Sequence, residues 1–179
     1  MRISRKKLIV YLIVGILISV DFFILKPILK ENYFSDDIFD FEKNSWKYTI
    51  GISLFLFALS VVYAFKKNIL NLNFIIYNFI VVSLFAFFGK ALIDDALLYA
   101  NLKIETKKYI KSYVVLRYDP NKVFHIYDNK SEFIVVEEQL KKIDSIRIRK
   151  RLKSLYRLQN NDTLNVDYKT GLLNIKFLK

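Results

Sequence analysis

The chain contains no cysteine and only one histidine, His125. Without cysteine there is no disulfide, no thiol nucleophile and no thiolate-ligated zinc. One histidine cannot supply a histidine-rich metal site. The G-x-S-x-G, Walker and H-E-x-x-H patterns are also missing. The composition therefore predicts a protein that is not an enzyme, with no cofactor, no metal site and no evident small-molecule substrate.

Glycine and proline are also scarce, with four and two residues, so long disordered linkers are not expected. Apolar residues make up 54% of the chain and are concentrated in its first half. Three runs are apolar around their whole circumference and close to the length of about 20 residues that a helix needs to cross a bilayer. They predict membrane spans at 8–25, 48–65 and 69–89.

Basic residues predict how these spans are oriented. A cluster precedes the first span, and no small-residue cleavage site follows it: Arg2, Arg5, Lys6, Lys7. This favours an uncleaved signal anchor in a bacterial inner or plasma membrane, with a cytoplasmic N-terminus. The turn at 66–68 agrees with that orientation, whereas the lysines at 103, 107 and 108 argue against it. We expect the C-terminal domain to be extracytoplasmic.

Two polar residues lie inside the predicted spans, Asp21 and Asn78. A carboxylate in a bilayer costs about 2.5–3.5 kcal/mol, so Asp21 should face protein or water. Counting along the helices at about 1.5 Å per residue puts the two side chains at depths about 5 Å apart. One interpretation is a proton- or ion-handling site. The other is a contact between helices, or a side chain that reaches out toward Lys26.

Asp94 and Asp95 follow the third span, in a stretch that continues its helical pattern through residues 91–105. Adjacent helical residues point about 100° apart, so the two carboxylates are not expected to share a site. Lys90 stands four residues before Asp94 and predicts an exposed pair worth about 0.3–0.5 kcal/mol. The sequence thus predicts an amphipathic stem with both aspartates in water.

The loop at 26–47 carries five acidic residues and four lysines. It lacks the regular spacing and central glycine of a calcium loop. Apolar side chains interleave with the acids and indicate a short amphipathic piece on the membrane surface: Phe34, Ile38, Phe39, Phe41.

Residues 106–179 predict a small α+β domain with a mostly antiparallel sheet of four or five strands and one amphipathic helix. Strand-like runs lie at 112–118 and 123–127, joined by a turn at 119–122, and two alternating runs follow at 163–168 and 172–178. Gly171 is predicted to take a left-handed conformation that closes a three-residue hairpin. The helix is predicted over 137–157. His125 falls in a strand and is interpreted as a sheet-surface residue.

Residues 101–179 hold 18 Lys and Arg against nine Asp and Glu. Five basic residues are predicted to share one face of the helix: Lys142, Arg149, Lys150, Lys153, Arg157. Such a face could contact acidic membrane lipids or simply be solvated. Nucleic acid is disfavoured because the common RNA-binding signatures are missing.

Three parts are therefore expected: a three-helix membrane anchor over 1–90, a helical stem over 91–105 and a basic α+β domain over 106–179. The favoured hypothesis is a non-enzymatic membrane protein that presents this domain to a protein partner, a second copy or the membrane surface. An accessory subunit or an immunity-type factor would fit. The alternative is a small transporter or channel subunit that uses Asp21 and Asn78.

Overall fold

A computed structural model describes residues 5–117, 124–127, 133–134 and 137–178. The chain divides into two compact units. The three-helix unit contains the chain through Leu29 together with Ser35–Tyr99. The α+β unit contains Lys30–Phe34 and Ala100–Lys179. A short segment from the first predicted loop therefore belongs to the C-terminal unit.

The first helical stretch runs without a break through α1 (Arg5–Val20), a π-helical segment (Asp21–Leu25) and α2 (Lys26–Asn32). Pro27 explains the π-helical segment, because proline has no amide hydrogen to donate to the preceding turn. The amide of Lys26 instead donates to the Asp21 carbonyl, five residues back. The wider turn begins at Asp21 and sets the direction of its side chain.

Three further helices follow: α3 (Ser35–Asn44), α4 (Trp46–Lys66) and α5 (Leu72–Lys103). Asn68, with φ 54°, ends α4 in the left-handed conformation, and the Asn71 side chain accepts from the Phe74 amide to cap α5. By length and composition, Tyr11–Asn32, Trp46–Lys66 and Leu72–Lys103 can each cross a membrane. This agrees with the three spans predicted from the sequence.

The first loop is mostly helical. In α3 the Phe41 side chain is buried and stacks on Tyr48 with a centroid distance of 6.1 Å, whereas Phe39 is exposed. The segment is therefore amphipathic, as its alternation of acids and aromatics indicated.

The α+β unit begins as α5 passes almost directly into the sheet. Its strands are β1 (Glu105–Arg117), β2 (Phe124–Tyr127), β3 (Phe133–Ile134), β4 (Thr163–Gly171) and β5 (Lys176–Leu178). The order across the sheet is β3-β2-β1-β4-β5, and every neighbouring pair is antiparallel. The predicted α+β class is confirmed. The turn predicted at 119–122 lies outside the described residues.

The single helix of this unit, α6 (Glu137–Arg149), is shorter than the predicted 137–157. It ends because Arg151 takes a left-handed conformation, with φ 58°. The Asp144 carboxylate then accepts from the Leu155 amide at 2.6 Å, which holds the chain as it turns back. Leu155 thereby reaches the core from a 3₁₀ turn and not from the helix.

Gly171 lies at the end of β4 and has no positive φ, so the predicted left-handed turn at this residue is wrong. The turn comes later, where Asn174 adopts φ 59°. Gly171 is required for another reason: a Cβ atom there would lie 1.7 Å from the backbone oxygen of Asn101. The end of α5 approaches the strand too closely for any side chain.

The core of the α+β unit lies between α6 and one face of the sheet. The alternation predicted for β4 is confirmed, with Leu164, Val166 and Tyr168 all buried. Phe34 joins this core from the first loop, with its ring centroid 6.4 Å from that of Tyr168. The remaining buried residues of the core are Tyr113, Val115, Ile126, Leu140, Ile143, Leu155, Leu158 and Leu178.

Candidate functional site in the three-helix unit

Three aspartates are buried in the three-helix unit. Asp21 is 8% exposed, Asp94 1% and Asp95 5%. The prediction that Asp94 and Asp95 face water is therefore wrong. Apolar neighbours on both sides, Ile93 and Leu98, are also buried, so this part of α5 is covered over a wide arc.

The Asp21 and Asp95 carboxyl groups are close enough to interact directly. A carboxylate only accepts hydrogen bonds, so a bond between two carboxyl groups requires that one of them carries a proton. Lys26 is the nearest cation, with its Nζ 3.6 Å from Asp21 Oδ2. Two helices that are far apart in sequence thus bring two acidic side chains together.

Asp94, the residue before Asp95, has a basic partner and not an acidic one. Its carboxylate forms an ion pair with Lys90, whose side chain is mostly buried. The Lys90 ammonium group also donates to the Glu42 carbonyl at 2.7 Å and to Ser45 Oγ at 2.8 Å, and it lies 5.3 Å from the Trp46 ring centroid. The predicted exposed pair is therefore a buried, well-coordinated one.

Several buried oxygens in this unit have no hydrogen-bond partner among the described residues. On the aspartates they are Asp21 Oδ1, Asp94 Oδ1 and Asp95 Oδ2. On α4 they are Thr49 Oγ1 and Ser53 Oγ. Unsatisfied buried oxygens are costly, at about 1–3 kcal/mol each, and are rare in folded proteins. Their concentration in one small unit marks it as the candidate functional site.

Asn78, the other intramembrane residue singled out from the sequence, has a different partner from Asp21. Its Nδ2 donates to Ser60 Oγ on α4. This bond ties α5 to α4 and uses the amide as a helix-to-helix contact. The acidic site is thus built from Asp21 and Asp95, and Asn78 has a packing role.

The five basic residues predicted on the α6 face do not form one free surface. Lys142 donates to the Tyr33 carbonyl at 2.7 Å and pairs with Glu138 at 2.9 Å. Arg149 pairs with Glu31 at 2.6 Å, and Lys150 pairs with Asp167 at 2.7 Å. The remaining two, Lys153 and Arg157, follow the end of the helix. The prediction of a continuous basic helix face is wrong because the helix ends early.

His125 lies on β2 opposite Leu116, and its side chain is outside the described part of the chain. Within the described residues, no group of three or more His, Cys, Asp and Glu could hold a metal ion. The sequence contained one usable signal for the acidic site, since Asp21 had to face protein or water. It could not indicate which residue Asp21 meets.

No protein-family model, no curated protein and no solved structure matches this chain.

Proposed function

We propose that the protein is a small membrane transport or channel subunit that binds and releases a proton at Asp21 and Asp95. The observation that carries this proposal is the direct approach of these two buried carboxyl groups to each other. Ionisable residues within membrane helices are expensive and commonly belong to proton or ion pathways. Here the sequence places one at the start of a π-helical segment, a local distortion that is frequent at functional sites.

The pair has two charge states with different structural consequences. With one proton, the two carboxyl groups attract each other through a hydrogen bond. Without it, two carboxylates in contact repel each other by on the order of 1–4 kcal/mol, depending on how much water reaches them. Release of the proton would therefore push the first helix away from α5, which couples proton binding to helix movement.

The unpartnered oxygens around the pair are suited to this function. Asp21 Oδ1 and Asp95 Oδ2 are buried acceptors without a partner among the described residues, so either acid can hold the proton. Asp94 pairs with Lys90 and is not part of the acidic pair.

Proton flux into liposomes tests the proposal. The full-length protein is reconstituted with a pH-sensitive dye inside the vesicles, and a pH gradient is applied. Asp21→Asn and Asp95→Asn are each expected to reduce the flux at least tenfold, because an amide side chain does not bind and release a proton as a carboxyl group does. Asp40→Asn, on the exposed side of α3, is the control and should leave the flux unchanged. Equal flux in all four proteins would refute the proposal.

We further propose that the α+β unit is an interaction domain presented by the membrane unit, as the sequence favoured. Supporting this, Lys107 and Lys108 are exposed on β1 and are not used in an ion pair among the described residues. We therefore propose these two lysines, and not the basic residues of α6, as the surface that binds a partner. Cross-linking with a lysine-reactive reagent in the membrane should attach a different protein to them; attachment of lipid alone would contradict it.

A further inference from the structure

Half of strand β1 has a partner on only one side. β1 pairs with β4 from Glu105 to Val114, but with β2 only from Val114 to Arg117. Within the described residues, the stretch 106–112 therefore borders no second strand. Its first five residues, 106–110, are all exposed, and Ile110 is 67% exposed.

The backbone groups on this open side can be identified from the pairing. The Val115 amide donates to the Asp162 carbonyl, and the Val115 carbonyl accepts from the Asn161 amide, so Val115 bonds toward the β4 side. In an antiparallel ladder, successive residues direct their backbone groups to opposite sides. Lys108 and Ile110 therefore direct their amide and carbonyl groups toward the open edge, where a further strand would meet them.

The side chains along this edge are strongly basic. Lys107, Lys108 and Lys111 lie within five residues, and their positions alternate between the two faces of the sheet. A second copy of this chain added in the antiparallel sense would bring three lysines against three lysines. Like charges on paired strands destabilise that pairing. An acidic segment would instead gain backbone hydrogen bonds and charge pairs together.

We infer that residues 106–112 of β1 bind an extended, acidic segment of a partner protein, which adds to the sheet as a strand beside β1. This inference rests on the second proposed function, an interaction domain, and names how the partner binds. Main-chain hydrogen bonds to an exposed edge are a recurrent way to recognise extended peptides. Edge lysines can also serve only to prevent unwanted pairing between sheets, and the experiment below distinguishes the two.

A photoreactive amino acid at Ser112, in the full-length protein and in the membranes of the cell that makes it, tests the inference. Mass spectrometry of the cross-linked product identifies the attached segment. We expect a segment of another protein with more Asp and Glu than Lys and Arg. The same amino acid at Leu152, which is exposed beyond α6, is the control position. Cross-linked protein at Leu152 alone would rule out binding at the β1 edge but would still support an interaction domain. If no protein is cross-linked at either position, both the edge binding and the interaction domain are refuted.

Two substitutions then test whether the backbone takes part. Ile110→Pro removes an amide that points to the open edge and is not used by β4, and proline is tolerated at strand edges. Ile110→Ala removes the same side chain but keeps the amide. We expect the Ser112 product to fall about tenfold with proline and to persist with alanine, since each backbone bond lost leaves an unpaired group. An equal fall in the yield of the Ser112 product in both variants would show that the partner does not bind through the backbone of β1.

Charge reversal provides an independent variant that leaves the backbone unchanged. Lys107→Glu with Lys108→Glu should abolish the Ser112 product, because an acidic segment would then meet like charges. Retention of the product in this variant, or cross-linking to a second copy of the chain, would show that the partner is not an acidic strand.

Discussion

At the scale of single residues, two neighbouring aspartates of α5 illustrate how a buried carboxyl group is stabilised. Asp94 forms an ion pair with Lys90, which also donates to Ser45 Oγ and the Glu42 carbonyl. Asp95 instead meets Asp21, a second acid. Removing a partner from a buried charge costs about 3–5 kcal/mol, whereas an acid paired with an acid needs only a proton. The acidic pair is thus expected to make the stability of the protein depend on pH.

The stability of the protein in detergent should therefore depend on pH through Asp95. In the wild type we expect the free energy of unfolding to fall as pH rises from mildly acidic values through neutrality, because the shared proton is lost and two carboxylates remain in contact. The loss should be on the order of 1–4 kcal/mol. In Asp95→Asn the amide donates to Asp21 without a titrating proton, so this decrease should disappear.

Thermal unfolding, followed by circular dichroism at several pH values, measures how the stability of each variant depends on pH. Asp40→Asn serves as the matched control, since it removes an exposed aspartate of α3 and should keep the wild-type dependence on pH. A wild type whose stability does not change between mildly acidic and neutral pH would contradict the shared proton.

At the scale of elements, the presence of the helices and strands followed from local patterns, but their ends did not. The spans and the alternation of β4 could be predicted because apolar periodicity is a property of neighbouring residues. The end of α6 could not be predicted in this way, because it depends on a hydrogen bond from the Leu155 amide to the Asp144 carboxylate, which forms only after the chain has turned. Gly171 was assigned to a turn because glycine is typical of turns, whereas its real constraint is the backbone of Asn101.

Gly171→Ala is therefore expected to destabilise the α+β unit by about 1–3 kcal/mol or more, because the new methyl group would overlap a backbone oxygen that cannot move aside easily. Gly51→Ala, in the middle of α4, is the matched control, since nothing lies within 4 Å of its added Cβ. That change should be neutral or stabilising by up to about 1 kcal/mol. Thermal unfolding of the two variants measures the difference, and equal stability would contradict the close approach of α5 to β4.

At the scale of the whole molecule, the two units are not consecutive pieces of the chain. Tyr33 and Phe34 leave the first loop and join the α+β unit, where the Tyr33 hydroxyl accepts from Asn101 Nδ2 at 2.8 Å. A pattern of neighbouring residues cannot indicate that such a segment enters a core built much later in the chain. The same limit applies to Asp21, whose need for a partner could be predicted although its partner could not.

Both proposals follow from this organisation. The three-helix unit places an acid from the first helix against an acid from the last. In the α+β unit, part of β1 has no second neighbouring strand among the described residues and carries a row of lysines. One unit would move a proton while the other binds a protein. These are separable functions, since each rests on residues of its own unit.

The central claim is that Asp21 and Asp95 share one proton in the membrane, and infrared spectroscopy tests it most directly. In the full-length protein reconstituted in lipid at neutral pH, the C=O stretching band of a protonated carboxylic acid should be present. It should disappear in Asp21→Asn and in Asp95→Asn, and persist in Asp40→Asn. A wild-type spectrum without that band at neutral pH, or a band that survives both substitutions in the pair, would contradict the shared proton.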